Sequence, residues 1–223
     1  GHSSDEGRRA VELLRGGAIG KVKDIHIWTN RPVWPQGVGK PEPKPVPATL
    51  DWDLWRGPAN VDWGYNPDYA HFNWRGWVPF GTGAVGDMGA HLMDFPVWAL
   101  DLGLPTRIET HHSLWGGDTD PWDYKRPDAL TSYPLASIIY YEFGKAKGGP
   151  VKLTWYDGGL APPAPRGLPA DRVVEEEGGV LYVGDKGQLL HGTYGVKPTL
   201  IGGDAIARGA KIPVSLPRIE GST

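Results

Sequence analysis

The sequence predicts an α+β fold: an open, mostly antiparallel mixed sheet with helices on one face and long loops rich in proline and tryptophan. Three observations predict it. A capped helix comes first and a run of strand-like segments dominates the second half. No fixed-period repeat appears. The chain holds 33 glycines and 22 prolines in 223 residues, approaching disordered composition, yet 11 tryptophans and 9 tyrosines argue for loops that are ordered and rigid.

The elements follow in order. Ser3 or Ser4 can cap the opening helix, Asp5 and Glu6 suit its positive end, and Gly16-Gly17 stops it. "KVKDIHIWTN" (21–30) alternates Val22, Asp24/Ile25 and Ile27 with polar partners and reads as a strand. Six prolines between 32 and 47 fix φ and remove ladder donors, so 31–50 is an extended loop suited to an active-site wall or lid. Asp51 caps a short helix, "WDLWRG". Residues 64–86 show neither period and read as loop.

Residues 87–102 give the strongest helix pattern. Met88, Leu92, Phe95 and Ala99 form an apolar stripe, and Asp87, His91, Asp94 and Trp98 form a second stripe about 100° away. Pro96 should bend this helix by deleting its bond to the Leu92 carbonyl. Strands follow at 107–115, 136–143, 151–157, 179–185 and 187–194, the last two as a hairpin around Asp185-Lys186-Gly187. A second proline loop spans 160–169.

Composition excludes several classes. A net charge of −3 and a pI near 6.2 give no electrostatic case for nucleic acid or an anionic membrane. Runs such as "SIIYYEF" are too short to span a bilayer. With no cysteine, disulfides, thiolate nucleophiles and thiolate zinc sites are removed together. The start, directly in a helix and without an initiator Met, points to a fragment of a longer protein.

Two motifs overlap in "GTGAVGDMGAHLMDF" (81–95). Gly81, Gly83 and Gly86 spell G-x-G-x-x-G, but a dinucleotide turn needs a buried strand before it, and Pro79 excludes one. Asp87 would also set a negative charge where pyrophosphate should lie. Asp87 and His91, four apart, share a helical face; a neutral imidazole so placed can take a hydroxyl proton, oriented by the carboxylate. A metal site would need a third ligand, for which Asp94 is the local option; His111 and His112 face opposite sides of a strand. No metal is expected. Trp28, Trp34, Trp52, Trp55, Trp63, Trp74, Trp77 and Trp98 crowd the first half beside Asn30, Arg31, Asn73 and Arg75. Most read as core or loop anchors, while flat faces beside polar groups also suit sugar rings.

"GGAIGKVKDIHIWTNRPVWPQG", "DWDLWRGPA", "YNPDYAHFNWRGWVPFGTGAVGDMGAHLMD" and "LYVGDKGQLL" together resemble the C-terminal domain of the glucose–fructose oxidoreductase/inositol dehydrogenase/MocA (Gfo/Idh/MocA) family, in its larger bacterial variants. The likeness runs from residue 1 to about 195. It implies that residues 1–20 are a junction helix following a Rossmann domain outside this sequence. Residues 21–223 would then be the substrate domain, with its last helices falling beyond Thr223. It further implies NAD or NADP, bound mainly by that other domain, a carbohydrate or cyclitol substrate, and a homo-oligomer formed through the sheet. The family's D-x-x-x-H maps to Asp87 and His91 as the acid/base pair, and its E-K-P lysine is not in this sequence. Arg75, Trp74, Asn30, Arg31, Trp34 and Asp94 are expected to hold the substrate ring, with His2 beside the nicotinamide. A glycoside-cleaving relative and a non-catalytic carbohydrate-binding or oligomerisation module are the competing readings.

Overall fold

Seven strands build one open sheet in the computed structural model, which describes residues 2–113, 130–146, 148–172 and 174–218. They are β1 (Val22–Thr29), β2 (Arg107–His112), β3 (Ser137–Phe143), β4 (Val151–Tyr156), β5 (Gly178–Gly184), β6 (Gly187–Gly192) and β7 (Thr199–Ile201). Their order is β2-β3-β4-β1-β5-β6-β7, and only the β1–β4 ladder is parallel among the described strands. The sheet is therefore mixed and mostly antiparallel, as the sequence predicts. The hairpin turns on Asp185 and Lys186, with Gly184 opposite Gly187.

The uneven alternation in β1 has a local cause. The register against β5 shifts between Val22 and Asp24, so one extra residue lets both Val22 and Ile25 reach the same apolar cluster. Ile25, Ile27, Leu153, Trp155, Val180, Tyr182 and Leu189 share that cluster with side chains from four helices: α1 (Asp5–Arg15), α3 (Gly83–Leu92), α4 (Asp94–Leu100) and α5 (Gly203–Gly209). These helices occupy one face of the sheet. On the other, Trp28, Leu181, Leu190 and Ile201 are roofed by Leu168 of the second proline loop and by Val174 beyond it.

Ser4 is the residue that caps α1, its side chain accepting from the Gly7 amide at 3.0 Å. Glu12 of this helix is buried, and its carboxylate accepts from the Ser215 and Leu216 amides at 2.9 Å and from Arg218 at 3.0 and 3.1 Å. That ties the last described segment to the first helix.

Three expectations need correction. The helix expected at 87–102 begins four residues earlier and breaks at Met93 into α3 and α4. Pro96 has no amide to offer the Leu92 carbonyl, so the hydrogen-bond ladder is interrupted there. The stretch 64–86 is not all loop: Asn73–Gly76 forms a 3₁₀ turn and Gly83 opens α3. The strand expected at 107–115 is observed to His112, and its last two residues, 114 and 115, lie outside the described residues. β7 and α5 were not anticipated.

The loop tryptophans make a second core of their own. Trp52, at the start of α2 (Trp52–Arg56), stacks on Trp55 at 4.8 Å between ring centres and 13° between planes. Tyr69, Trp77, Trp63 and Phe80 close around them. Indole donors are matched to carbonyls: Trp52 Nε1 to Trp63 O at 2.9 Å and Trp77 Nε1 to Asp68 O at 2.7 Å. Burying aromatic area with its polar edge satisfied is what holds this long loop in one shape.

Candidate active site

The glycine motif explains how the site is assembled. A Cβ on Gly81 would lie 2.4 Å from the Arg75 carbonyl oxygen, so only glycine lets the chain cross that residue. Gly83 sits at φ +65° against Tyr133, and a Cβ on Gly86 would strike Thr82 Oγ1. At all three positions the space a side chain would need is taken by the chain's own atoms, so these glycines serve close packing of the turn against its own chain.

The crossing at Gly81 brings Arg75 onto α3. Its Nε donates to Asp87 Oδ1 at 2.7 Å and its Nη1 to the Phe72 carbonyl at 2.9 Å. Aromatic rings surround the guanidinium: Phe72 and Trp74 centres lie 4.6 Å away and Trp34 5.9 Å. About a quarter of each charged side chain is exposed, so the pair faces solvent across a narrow front. Trp34 itself is buried, with Nε1 donated to Gln36 Oε1 at 2.7 Å. It supports Arg75 from below, whereas half-buried Trp74 is open to the outside.

His91 lies one helical turn beyond Asp87 and is half-buried. No hydrogen bond joins the two among the described residues; the carboxylate is engaged by Arg75. The imidazole instead meets the Tyr194 ring edge-on, at 5.0 Å and 70°. Tyr194 follows β6 with a left-handed backbone at φ +66°, a strained conformation for a bulky residue. Sequence reasoning missed it. The available signal was "TYG" directly after the hairpin, where a glycine permits a sharp turn.

A further turn along, Asp94 Oδ2 accepts from His2 Nε2 at 2.7 Å. His2 also stacks on Trp98 at 3.9 Å and 22°, with Arg15 over the same indole at 5.6 Å. The polar stripe expected on this helix is thus real, and each member has acquired a partner from elsewhere in the chain. Asn30 and Arg31 stand apart. Arg31 Nη1 donates to Asn30 Oδ1, the Asn30 amide to Glu177 O at 3.2 Å, and Arg31 O accepts from Gly158 at 2.6 Å. No hydrogen bond, ion pair or ring contact links them to the Arg75 cluster among the described residues.

A cavity of about 250 Å³ lies at the start of α3, where Gly83 and Val85 meet Thr110, Ser137, Ile139 and Asp157. Burial pushes the Asp157 carboxyl above its usual range, although Trp155 Nε1 and both Ser137 donors bond to it. His111 and His112 pair with Ile138 and Ser137 on opposite faces of the sheet, as strand neighbours must. Among the described residues no three His, Asp or Glu side chains are grouped so as to hold a metal ion.

Residues 21–113 match the model of an oxidoreductase family, C-terminal alpha/beta domain. That segment is similar to the C-terminal domain of the Gfo/Idh/MocA oxidoreductases. The matched segment runs from β1 through β2 and so contains Trp34, Trp74, Arg75, Asp87, His91 and Asp94. Among solved structures, the chain is similar to an oxidoreductase from Sinorhizobium meliloti, with 16% identity and a TM-score of 0.39 over 98% of this chain and 46% of that one. It is also similar to an oxidoreductase from Thermotoga maritima, with 14% identity and a TM-score of 0.36 over 92% and 48%. A levoglucosan dehydrogenase in its apo form gives 14% and 0.36 over 85% and 40%. The chain spans less than half the length of each. No curated protein matches it.

Proposed function

We propose that this domain is the substrate-binding, proton-transferring half of an NAD(P)-dependent oxidoreductase that acts on a sugar or cyclitol hydroxyl. The observation that supports it is the row Arg75–Asp87–His91: a carboxylate fixed by a guanidinium, bordered by a half-buried indole, with an imidazole one turn further on. Members of this family are typically NAD(P)-dependent. The nicotinamide that accepts hydride would be held by a companion dinucleotide-binding domain.

His91 takes the hydroxyl proton of the carbon being oxidised. An imidazole ring nitrogen can accept that proton, and the edge of Tyr194 limits how far the ring can rotate. Asp87 works as an anchored acceptor for a neighbouring hydroxyl. The Arg75 bond keeps that oxygen pair in place, and Arg75 presents donors beside it. Trp74 offers a flat face for the ring. Asp94 and His2 form a second polar pair at the far end of the row, and Asn30 and Arg31 remain candidates for the other rim.

The test is His91→Ala in the full-length protein, assayed by nicotinamide absorbance against a panel of sugars and cyclitols. Turnover should fall by roughly 10²–10⁴-fold with cofactor affinity unchanged. Undiminished turnover would remove His91 from the reaction. Self-association through the sheet is part of the same proposal: β2 is an edge strand exposed from Arg107 to His111, and light scattering of an Ile108→Lys variant should show a smaller species than the parent.

A further inference from the structure

Trp74 borders two places at once. Its ring lies 4.6 Å from the Arg75 guanidinium, and it also lines a separate cavity of about 470 Å³ between α2 and the loop after it. That volume falls within the range of roughly 300–1,000 Å³ usual for small-ligand sites. Trp55, Trp74 and Phe80 supply planar apolar walls, while Arg56 and His71 supply nitrogen donors. No acidic residue lines it. Arg56 already gives Nη2 to Asp53 at 3.0 Å and Nη1 to the Val61 carbonyl at 2.7 Å, so its charge is largely answered within the chain. Aromatic faces, a few donors and a neutralised cation fit an uncharged ring with one apolar face and a hydroxylated edge.

We infer that this cavity is a second ring subsite for a neutral pyranose, so that the substrate is a glycoside or oligosaccharide of at least two rings. One ring would lie at Asp87 and His91 and the next past Trp74. The inference rests on the sugar reading of the Arg75–Asp87–His91 row but is tested without turnover.

Binding of cellobiose, maltose and glucose to the full chain, without cofactor, is measured by saturation-transfer NMR titration. At least one disaccharide should bind about tenfold more tightly than glucose. Ala59→Trp, which fills the cavity from its rim, should reduce that disaccharide to the affinity of glucose. His71→Ala removes an exposed donor with little risk to folding and should weaken the same disaccharide several-fold. Equal affinity for one ring and two in the parent chain, or full disaccharide affinity in both variants, overturns the subsite. Disaccharide binding that persists in a protein unable to reduce nicotinamide would instead defeat the redox reading and leave the subsite standing.

Discussion

Arg75 does several jobs whose removal can be separated. Its bond to Asp87 neutralises a carboxylate on α3, its Nη1 satisfies the Phe72 carbonyl, and its plane fills the gap between Phe72 and Trp74. Arg75→Met keeps much of the packing and removes the charge. With both partners a quarter exposed, solvent screening holds the stability loss to about 1 kcal/mol by urea unfolding. The larger effect should be a raised KM, because the Asp87 oxygens lose their anchor. Asp87→Asn keeps an acceptor and should be the milder change. The Asp87/His91 spacing was readable because i and i+4 is a local relation. Arg75 was read as a substrate ligand because the turn at Gly81 that folds it onto Asp87 leaves no periodic trace. Tyr194 arrives from the other end of the chain, and no spacing rule connects it to His91.

Among the elements, the break between α3 and α4 follows from a single missing donor. Pro96→Ala restores an amide opposite the Leu92 carbonyl, and hydrogen exchange should find that new amide protected, with higher helicity by circular dichroism. An amide that exchanges freely would mean that packing around Met93, and not the proline, sets the break. Long strands with buried alternation, β1, β3, β4 and the β5–β6 hairpin, were legible within a residue or two. β7 has three residues, and α5 begins and ends on glycine, so neither carries enough pattern to be seen. The onset of α3 was missed because Gly83 and Gly86 are poor helix formers, and here they are retained for close contacts with Tyr133 and Thr82.

For the molecule as a whole, acid should act in two stages. His191 is fully buried, its Nδ1 donating to the Gly192 carbonyl at 2.8 Å and its Nε2 facing the Tyr182 hydroxyl at 3.2 Å. Burial lowers it from 6.5 to about 4, against a small opposing pull from the Gly192 carbonyl. Between those values the unfolded chain binds the extra proton, so stability is full above pH 6.5 and drains away toward pH 4. Glu12 feels burial pushing it up, but Arg218, the Leu216 and Ser215 amides and Arg9 outweigh this and bring it to about 2. Its contribution is present above pH 4.5 and is lost as pH falls toward 2. In thermal melts across this range, His191→Gln should flatten the upper stage and Glu12→Gln the lower. Asp157, raised by burial, acts in the opposite sense and softens the slope. The α+β class was legible because helix-then-strand order and aromatic-rich loops are properties of the entire chain; Glu12 joins the two ends of the chain and His191 is buried only once helices cover its hairpin, so both are visible only in the assembled fold.

The parallel stack of Trp52 on Trp55 holds two indoles in a fixed asymmetric environment, so they should give structured circular dichroism in the near ultraviolet. The sheet, whose signal lies at shorter wavelength, contributes nothing to those bands. Loss of the near-ultraviolet bands ahead of the far-ultraviolet signal during heating would therefore report the tryptophan-lined loops melting as a unit of their own.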